Sequence, residues 1–205
     1  MPDGVVNNRF DWMGQTSGAV HCDFVTPEYS TVGDAGRKWE STRGIGTSFG
    51  YNRFEPDESY LGPDELVRLF VDVVAHGGNL LLNVGPTGRG DFDPRATDAL
   101  RGIGEWMRLH SRSIYGAGAS SFTPPPDARY TQRGDRLYLH LFTWPLEDVN
   151  LPGLAGKVEY AQMLNDASEL SFKEIDPNVL PHLPERRVEH EPDGGGRHCH
   201  EESPP

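Results

Sequence analysis

Apolar positions along this 205-residue chain change their period twice. Over 63–76, Leu66, Leu69, Phe70, Val73 and Val74 recur at helical spacing, which gathers them on one side of a helix. Pro63 suits its first turn, Asp64 and Glu65 complement the positive end of its dipole, and Gly77-Gly78 stop it. NLLLNV at 79–84 is a continuous apolar run and predicts a strand buried on both faces. After the turn GPTGRGDFDP, Ala96, Leu100, Ile103 and Met107 predict a second helix over about 94–111. Upstream, VVNNRF at 5–10 is β-prone and predicts an opening strand with Arg9 at its end. An irregular stretch over roughly 11–38 leads to a short strand near Trp39 and a glycine-punctuated loop. Strand–helix–strand–helix order with a doubly buried strand predicts an α/β layout with a parallel sheet.

Beyond PPP at 124–126 the period falls to two. ARYTQRGDRLYLHLFTWP at 128–145 predicts a hairpin turning at Arg133-Gly134-Asp135, and KVEYAQML (157–164) and ELSFKEI (169–175) predict further strands. The chain therefore divides into an α/β zone at 1–123 and a small antiparallel β unit at 124–180, with a linker at the prolines. From 181 to 205, proline, glycine and charge replace the apolar pattern, which predicts a disordered tail. The loss of pattern after Val179-Leu180 is abrupt enough to suggest a reading-frame change before the stop.

Composition narrows the partners. A net charge of −12 argues against nucleic acid and against an anionic membrane surface, and favours a neutral ligand or another protein. Gly 24 and Pro 17 with 36% hydrophobic residues describe a loop-rich chain. No stretch approaches the roughly 18–20 apolar residues of a membrane helix, and MPDGVVNNRF has neither region of a signal peptide. Cys22 and Cys199 imply no disulfide framework, and the compartment stays open.

Most motif-like stretches have bland explanations. GIGTSFG (44–50) misses the dinucleotide fingerprint by one residue and precedes no amphipathic helix, so its glycines read as a tight strand-end loop. That loop would leave Phe49 and Tyr51 exposed beside a cleft, as sugar-binding aromatics are. HCH at 198–200, with His190, lies in the predicted tail, where no fixed frame exists to hold a metal. Arg89-Gly90-Asp91 reads as a turn, and His21-Cys22 would point opposite ways on a strand. Two features remain. Glu28 sits between Phe24 and Tyr29 in HCDFVTPEYS, where desolvation would suit a general acid, though a surface loop acid fits the same residues. Arg9 ends the first predicted strand, a usual place for ligand-binding groups, yet a structural ion pair would also explain it.

Five blocks, in this order, carry a resemblance: PDGVVNNRF, DFVTPEY, KWESTRGIGTSFGYN, LVRLFVDVVAHGGNLLLNVGPTGRG and GIGEWMRLHSRSIYG. Together they resemble the α-L-fucosidases of glycoside hydrolase family 29, densely over 2–116 and loosely over 128–180. The resemblance implies the C-terminal portion of a (β/α)8-like barrel followed by a small antiparallel β-sandwich-like domain. It implies retaining hydrolysis of terminal α-L-fucose from glycans, without metal or organic cofactor. Glu28 falls on the general acid/base position, Arg9 on a sugar-contacting arginine and Phe49 on an aromatic packing against fucose. Asn8 and Phe10 stand where the family has Asp and Trp, which predicts a looser hold on Arg9.

Retaining chemistry needs a second carboxylate about 5–5.5 Å from the first. The resemblance places that Asp nucleophile on a barrel strand before this chain begins, so the chain alone is expected to be inactive, with a missing N-terminal half as a candidate partner. Asp23 and Asp34 are loop acids without motif support as substitutes, and nothing in the sequence fixes Glu40, in the strand-like KWE block, opposite Glu28. A non-catalytic carbohydrate-binding or interaction module, and one half of a split fucosidase, are the competing expectations.

Overall fold

The computed structural model describes residues 3–10, 22–33, 36–145 and 148–184. The predicted tail from 185 onward, with His190 and the HCH stretch, lies outside them, as does His21. Two strands, β1 (Glu40–Gly44) and β2 (Asn79–Asn83), pair in parallel with Glu40 opposite Asn79 and Thr42 opposite Leu81. Two more extended segments extend this arrangement through single parallel bridges, Asn7 to Phe24, Val25 to Trp39 and Glu28 to Thr42. Four chain segments thus lie side by side in sequence order, all running the same way. That is an α/β layer.

Helix α1 (Pro63–Ala75) links β1 to β2, and α2 (Pro94–His110) follows β2. Helix α1 begins as the sequence predicts, with Pro63 at its first position, and α2 also starts at a proline, Pro94. Glu65 turns back to accept from the Gly62 amide at 2.9 Å, and Asp93 caps α2 by accepting from the Arg95 amide at 2.9 Å. Leu66 and Val73 of α1 are completely buried. Leu66 packs with Ile45, Ala96 and Ala99, against Leu82 of β2 and Leu100 of α2. Gly102 lets α2 approach Pro63, since a Cβ there would lie 2.5 Å from the proline ring. Trp39 is wedged between Gly33 and Gly78, and its indole N–H donates to the His76 carbonyl at 3.2 Å.

Beyond α2, strands β3 (Gly118–Ala119), β4 (Ala128–Arg133) and β5 (Arg136–Leu141) form an antiparallel sheet. Strands β6 (Leu151–Pro152), β7 (Phe172–Ile175) and β8 (Asn178–Pro181) form another, ordered β6-β8-β7. Tyr130, Val149, Leu151, Leu154 and Val179 make the core between them. This unit joins the helical layer by specific polar contacts. Arg129 donates to Asp72 of α1 at 2.5 Å, and the Thr131 hydroxyl donates to the Ser113 carbonyl at 2.7 Å.

Four local expectations change. VVNNRF forms no strand: Asn8–Phe10 is a turn of 3-10 helix, because the Asn7 and Asn8 side chains hydrogen-bond backbone amides and compete with a ladder. β2 is not buried on both faces, since Leu82 packs on the helices while Leu81 is 45% exposed. Residues 157–164 hold turns and one bridge, Gln162 to Glu169, instead of a strand. Finally, β8 continues through Pro181, one residue into the stretch that reads as tail.

Candidate active site

The parallel segments present alternate residues to opposite faces. On the face away from the helices, Thr26 and Glu28, Glu40 and Thr42, and Leu81 follow one another from segment to segment. With Asn7, Arg9 and Phe49 they line an open cavity of about 310 Å³. The three candidates Arg9, Glu28 and Phe49 therefore converge on one site, from segments far apart in sequence.

Arg9 is anchored from several directions. Its Nε donates to Thr26 Oγ1 at 2.7 Å, Nη2 to the Thr26 carbonyl at 3.0 Å and Nη1 to Glu28 Oε1 at 2.6 Å. Thr26 is itself buried, and Asn8 Oδ1 accepts from its amide at 2.9 Å and its hydroxyl at 3.2 Å. Asn8 therefore supports Arg9 at one remove, through Thr26. One hydroxyl accepts from the arginine and donates to the amide oxygen, so the Asn8–Thr26–Arg9 chain runs donor to acceptor throughout.

Of the two readings that the residues around Glu28 leave open, the exposed acid is the one observed. Its side chain is 47% exposed and bonded to Arg9, so it is not desolvated among aromatics. The aromatics act one residue on. Tyr29 adopts φ 52°, in the left-handed region that bulky side chains rarely enter. Its amide donates to the Thr42 carbonyl at 3.1 Å, and its hydroxyl donates to the Thr47 carbonyl at 2.8 Å. Its ring meets Phe49 edge-on with centroids 5.6 Å apart, and the Arg43 guanidinium lies 5.1 Å from its centroid. Such over-determined strain beside an acidic side chain is a feature typical of functional sites. It fixes where the chain leaves Glu28.

The loop after β1 supplies Phe49 and is pinned by a buried acid. Glu55 Oε1 accepts from the Thr47 amide at 2.5 Å, the Thr47 hydroxyl at 2.6 Å and the Ser48 amide at 3.3 Å. Burial works to raise the Glu55 carboxyl, but these bonds from Thr47 and Ser48 outweigh it and hold it below the usual range. Asn83 at the end of β2 donates to the Phe49 carbonyl, and Gly85 leaves room for the Gly50-Tyr51 backbone. Phe49 and Tyr51 are each 38% exposed, as the loop reading expects. Arg89-Gly90-Asp91 is indeed a turn, with Gly90 at φ 88°.

Sequence reasoning passed over Thr26 and Thr42 as cavity residues and set Glu40 aside. A signal existed: T-x-E at 26–28 and E-x-T at 40–42 repeat with period two, which places each pair on one face. Glu40 is thus the second carboxylate of the cavity, on the same wall as Glu28. Among the described residues, no group of three or more His, Cys, Asp or Glu could hold a metal ion, and no helix is long and apolar enough to cross a membrane.

Residues 2–112 match the family model described as Alpha-L-fucosidase. The plasma alpha-L-fucosidase of Rattus norvegicus is 30% identical over 166 residues, covering 76% of this chain and 36% of that protein. An alpha-L-fucosidase of Branchiostoma floridae is 34% identical over 112 residues, covering 53% of this chain and 25% of its own. Among solved structures, Thermotoga maritima alpha-fucosidase in complex with a mechanism-based inhibitor superposes with a TM-score of 0.75 at 38% identity, covering 89% of this chain and 42% of that one. Alpha-L-fucosidase isoenzyme 1 from Paenibacillus thiaminolyticus gives 0.74 at 31%, covering 83% and 43%. The chain spans well under half the length of these relatives.

Proposed function

The chain belongs to the alpha-L-fucosidase family, a family of glycoside hydrolases, and from that premise we propose that its cavity is the fucose-binding end of a retaining α-L-fucosidase site. The observation that carries this is the convergence of Arg9, Glu28 and Phe49 on one cavity of about 310 Å³. That is the low end of the roughly 300–1,000 Å³ usual for ligand pockets, a size suited to one sugar ring. One Thermotoga maritima relative was solved in complex with fucose, which supports the choice of sugar.

In this reading the parallel segments are the C-terminal portion of a (β/α)8-like barrel over 1–123, and 124–180 is its C-terminal β domain. Phe49 packs against the apolar face of fucose, and Arg9 donates to ring hydroxyls. Glu28 is the general acid/base. It delivers a proton to the glycosidic oxygen as that bond breaks, then recovers one from the water that releases the sugar. Arg9 orients the Glu28 carboxylate through its 2.6 Å bond and yields that bond to the incoming sugar. Glu40, on the same wall as Glu28, accepts from sugar hydroxyls. The nucleophile is supplied from outside this chain, by a complementing N-terminal half.

A second reading has its own support. Glu28 is half exposed and already engaged by Arg9, as it would be in a module that binds fucose without turning it over. One experiment separates the two. An aryl α-L-fucoside is offered to the chain alone and to the chain mixed with the N-terminal half of a relative. Turnover in the mixture alone, reduced about 10²–10⁴-fold by Glu28→Gln, supports the enzyme. Fucose binding without turnover in either supports the module. Neither binding nor turnover sinks both.

A further inference from the structure

The loop between β1 and α1 buries a carboxylate that does not line the cavity. Glu55 is 5% exposed, and the groups that donate to it, the Thr47 amide and hydroxyl and the Ser48 amide, are all neutral. Burying a charge without a counter-charge is costly, and an apolar side chain would close a plain loop more simply. The backbone nevertheless makes room for it. A Cβ at residue 46 would lie 2.6 Å from Glu55 Oε1, so Gly46 leaves the carboxylate its place. Glu55 is also tied to the helical layer. Arg95 of α2 donates to its carbonyl at 2.9 Å and is itself paired with Asp93 at 2.9 Å and Asp57 at 2.7 Å.

What the carboxylate holds leads into the cavity. Thr47 is gripped from two sides, its amide and hydroxyl by Glu55 and its carbonyl by the Tyr29 hydroxyl at 2.8 Å. The same tyrosine oxygen lies 3.4 Å from the Gly44 nitrogen and accepts from that amide, across the mouth of the loop. Tyr29 directly follows Glu28, and its left-handed conformation persists only while its surroundings over-determine it. Two residues beyond Thr47, Phe49 meets the Tyr29 ring edge-on. A displaced Thr47 would therefore free the acceptor of Tyr29 and the loop of Phe49 together.

We propose that Glu55 is a positioning residue that, through Thr47, holds Tyr29 and Phe49 in one mutual arrangement and so fixes Glu28 relative to the aromatic that packs on the sugar. This rests on the fucose reading of the cavity and adds to it a residue that acts on the sugar only through others. The arrangement needs an acceptor at the reach of Glu55, and the amide oxygen of a glutamine supplies one at the same distance.

The test follows the full chain by NMR, first without sugar and then with L-fucose. The Tyr29 and Phe49 rings, with centroids 5.6 Å apart, are expected to show a nuclear Overhauser contact in the parent chain. Glu55→Ala is expected to abolish that contact and to weaken fucose binding about tenfold, the scale of one or two lost hydrogen bonds. Glu55→Gln should keep both. Thr47→Val loses only the hydroxyl bond and is expected to weaken both, which keeps the proposal testable if Glu55→Ala does not fold. Since Glu55 and Tyr29 act on one peptide, Tyr29→Phe should cost little further affinity once Glu55 is gone. Additive losses overturn the proposal, as does a ring contact that survives Glu55→Ala or is untouched by Thr47→Val. If fucose binds the parent chain and Glu55→Ala equally well, the positioning role falls and the fucose reading stands. If the ring contact depends on Glu55 but the parent chain binds no fucose, the fucose reading falls and the placement by Glu55 stands.

Discussion

The two faces of the parallel layer make an instructive contrast, because the same strands build both. Toward the helices, Ser41 is fully buried and Leu82 packs with Leu66, Ala96 and Ala99. Toward the cavity, the intervening residues Glu40, Thr42 and Leu81 meet solvent or one another. A period of two distributes the roles, so stability and recognition are carried by alternate residues of one strand. Substitutions on the two faces should therefore separate cleanly.

The sharpest break is expected in the core. Leu66→Ala removes a fully buried side chain from the α1–α2–β2 contact and should cost about 2–5 kcal/mol, read as a lower urea midpoint. Acidification should come close to that. Burial in the β unit, with the charge of nearby His110 adding to it, holds His140 down to about 4 from its ordinary 6.5. Its Nε2 lies 3.0 Å from Thr131 Oγ1, and because that hydroxyl donates to Ser113, the imidazole donates to it. The unfolded chain takes up the proton below about 6.5 and the folded one only below about 4. Stability is thus complete above the higher value and falls between them, by about 3 kcal/mol. His110, stacked on Trp106 with centroids 4.7 Å apart, is lowered by burial too, against a bond to the Trp106 carbonyl, and adds in the same direction. Urea titrations at stepped pH would show the drop, and His140→Gln should flatten it.

Asp93→Ala tests the junction between core and site. It removes the α2 cap and two side-chain bonds to Arg95, each 2.9 Å, and should cost about 2 kcal/mol. Since Arg95 also holds the loop of Phe49 and Glu55, sugar affinity should fall with it. The smallest effect on stability belongs to Glu28→Gln. Its partner Arg9 is 46% exposed, and pairs of that kind are worth about 0–1 kcal/mol. An unchanged midpoint alongside lost turnover would sharpen the contrast between faces. A large drop would show that the ion pair belongs to the scaffold instead.

How much of this was legible follows from the range of each signal. Helices α1 and α2 match their expected spans to within a residue, because their periodicity and proline starts are local. The β4–β5 hairpin was equally plain from its alternation and glycine turn. VVNNRF misled because side-chain bonds from Asn7 and Asn8 outcompete β-propensity. The apolar run of β2 suggested two covered faces, yet no pattern within a strand tells which neighbours will be present.

The sequence by itself determined the layer type, the helix ends, the hairpin and, through its five ordered blocks, the family. Only the tertiary structure brought Arg9, Glu28 and Phe49 to one cavity, added Thr26, Thr42 and Glu40, and let Asn8 serve through the Thr26 hydroxyl. It also decided that Tyr29 is held in a left-handed conformation beside Glu28. The physical reason is range. Periodicity and capping act over a few residues of chain, whereas a site is made by side chains whose separation in sequence says nothing about their distance in space.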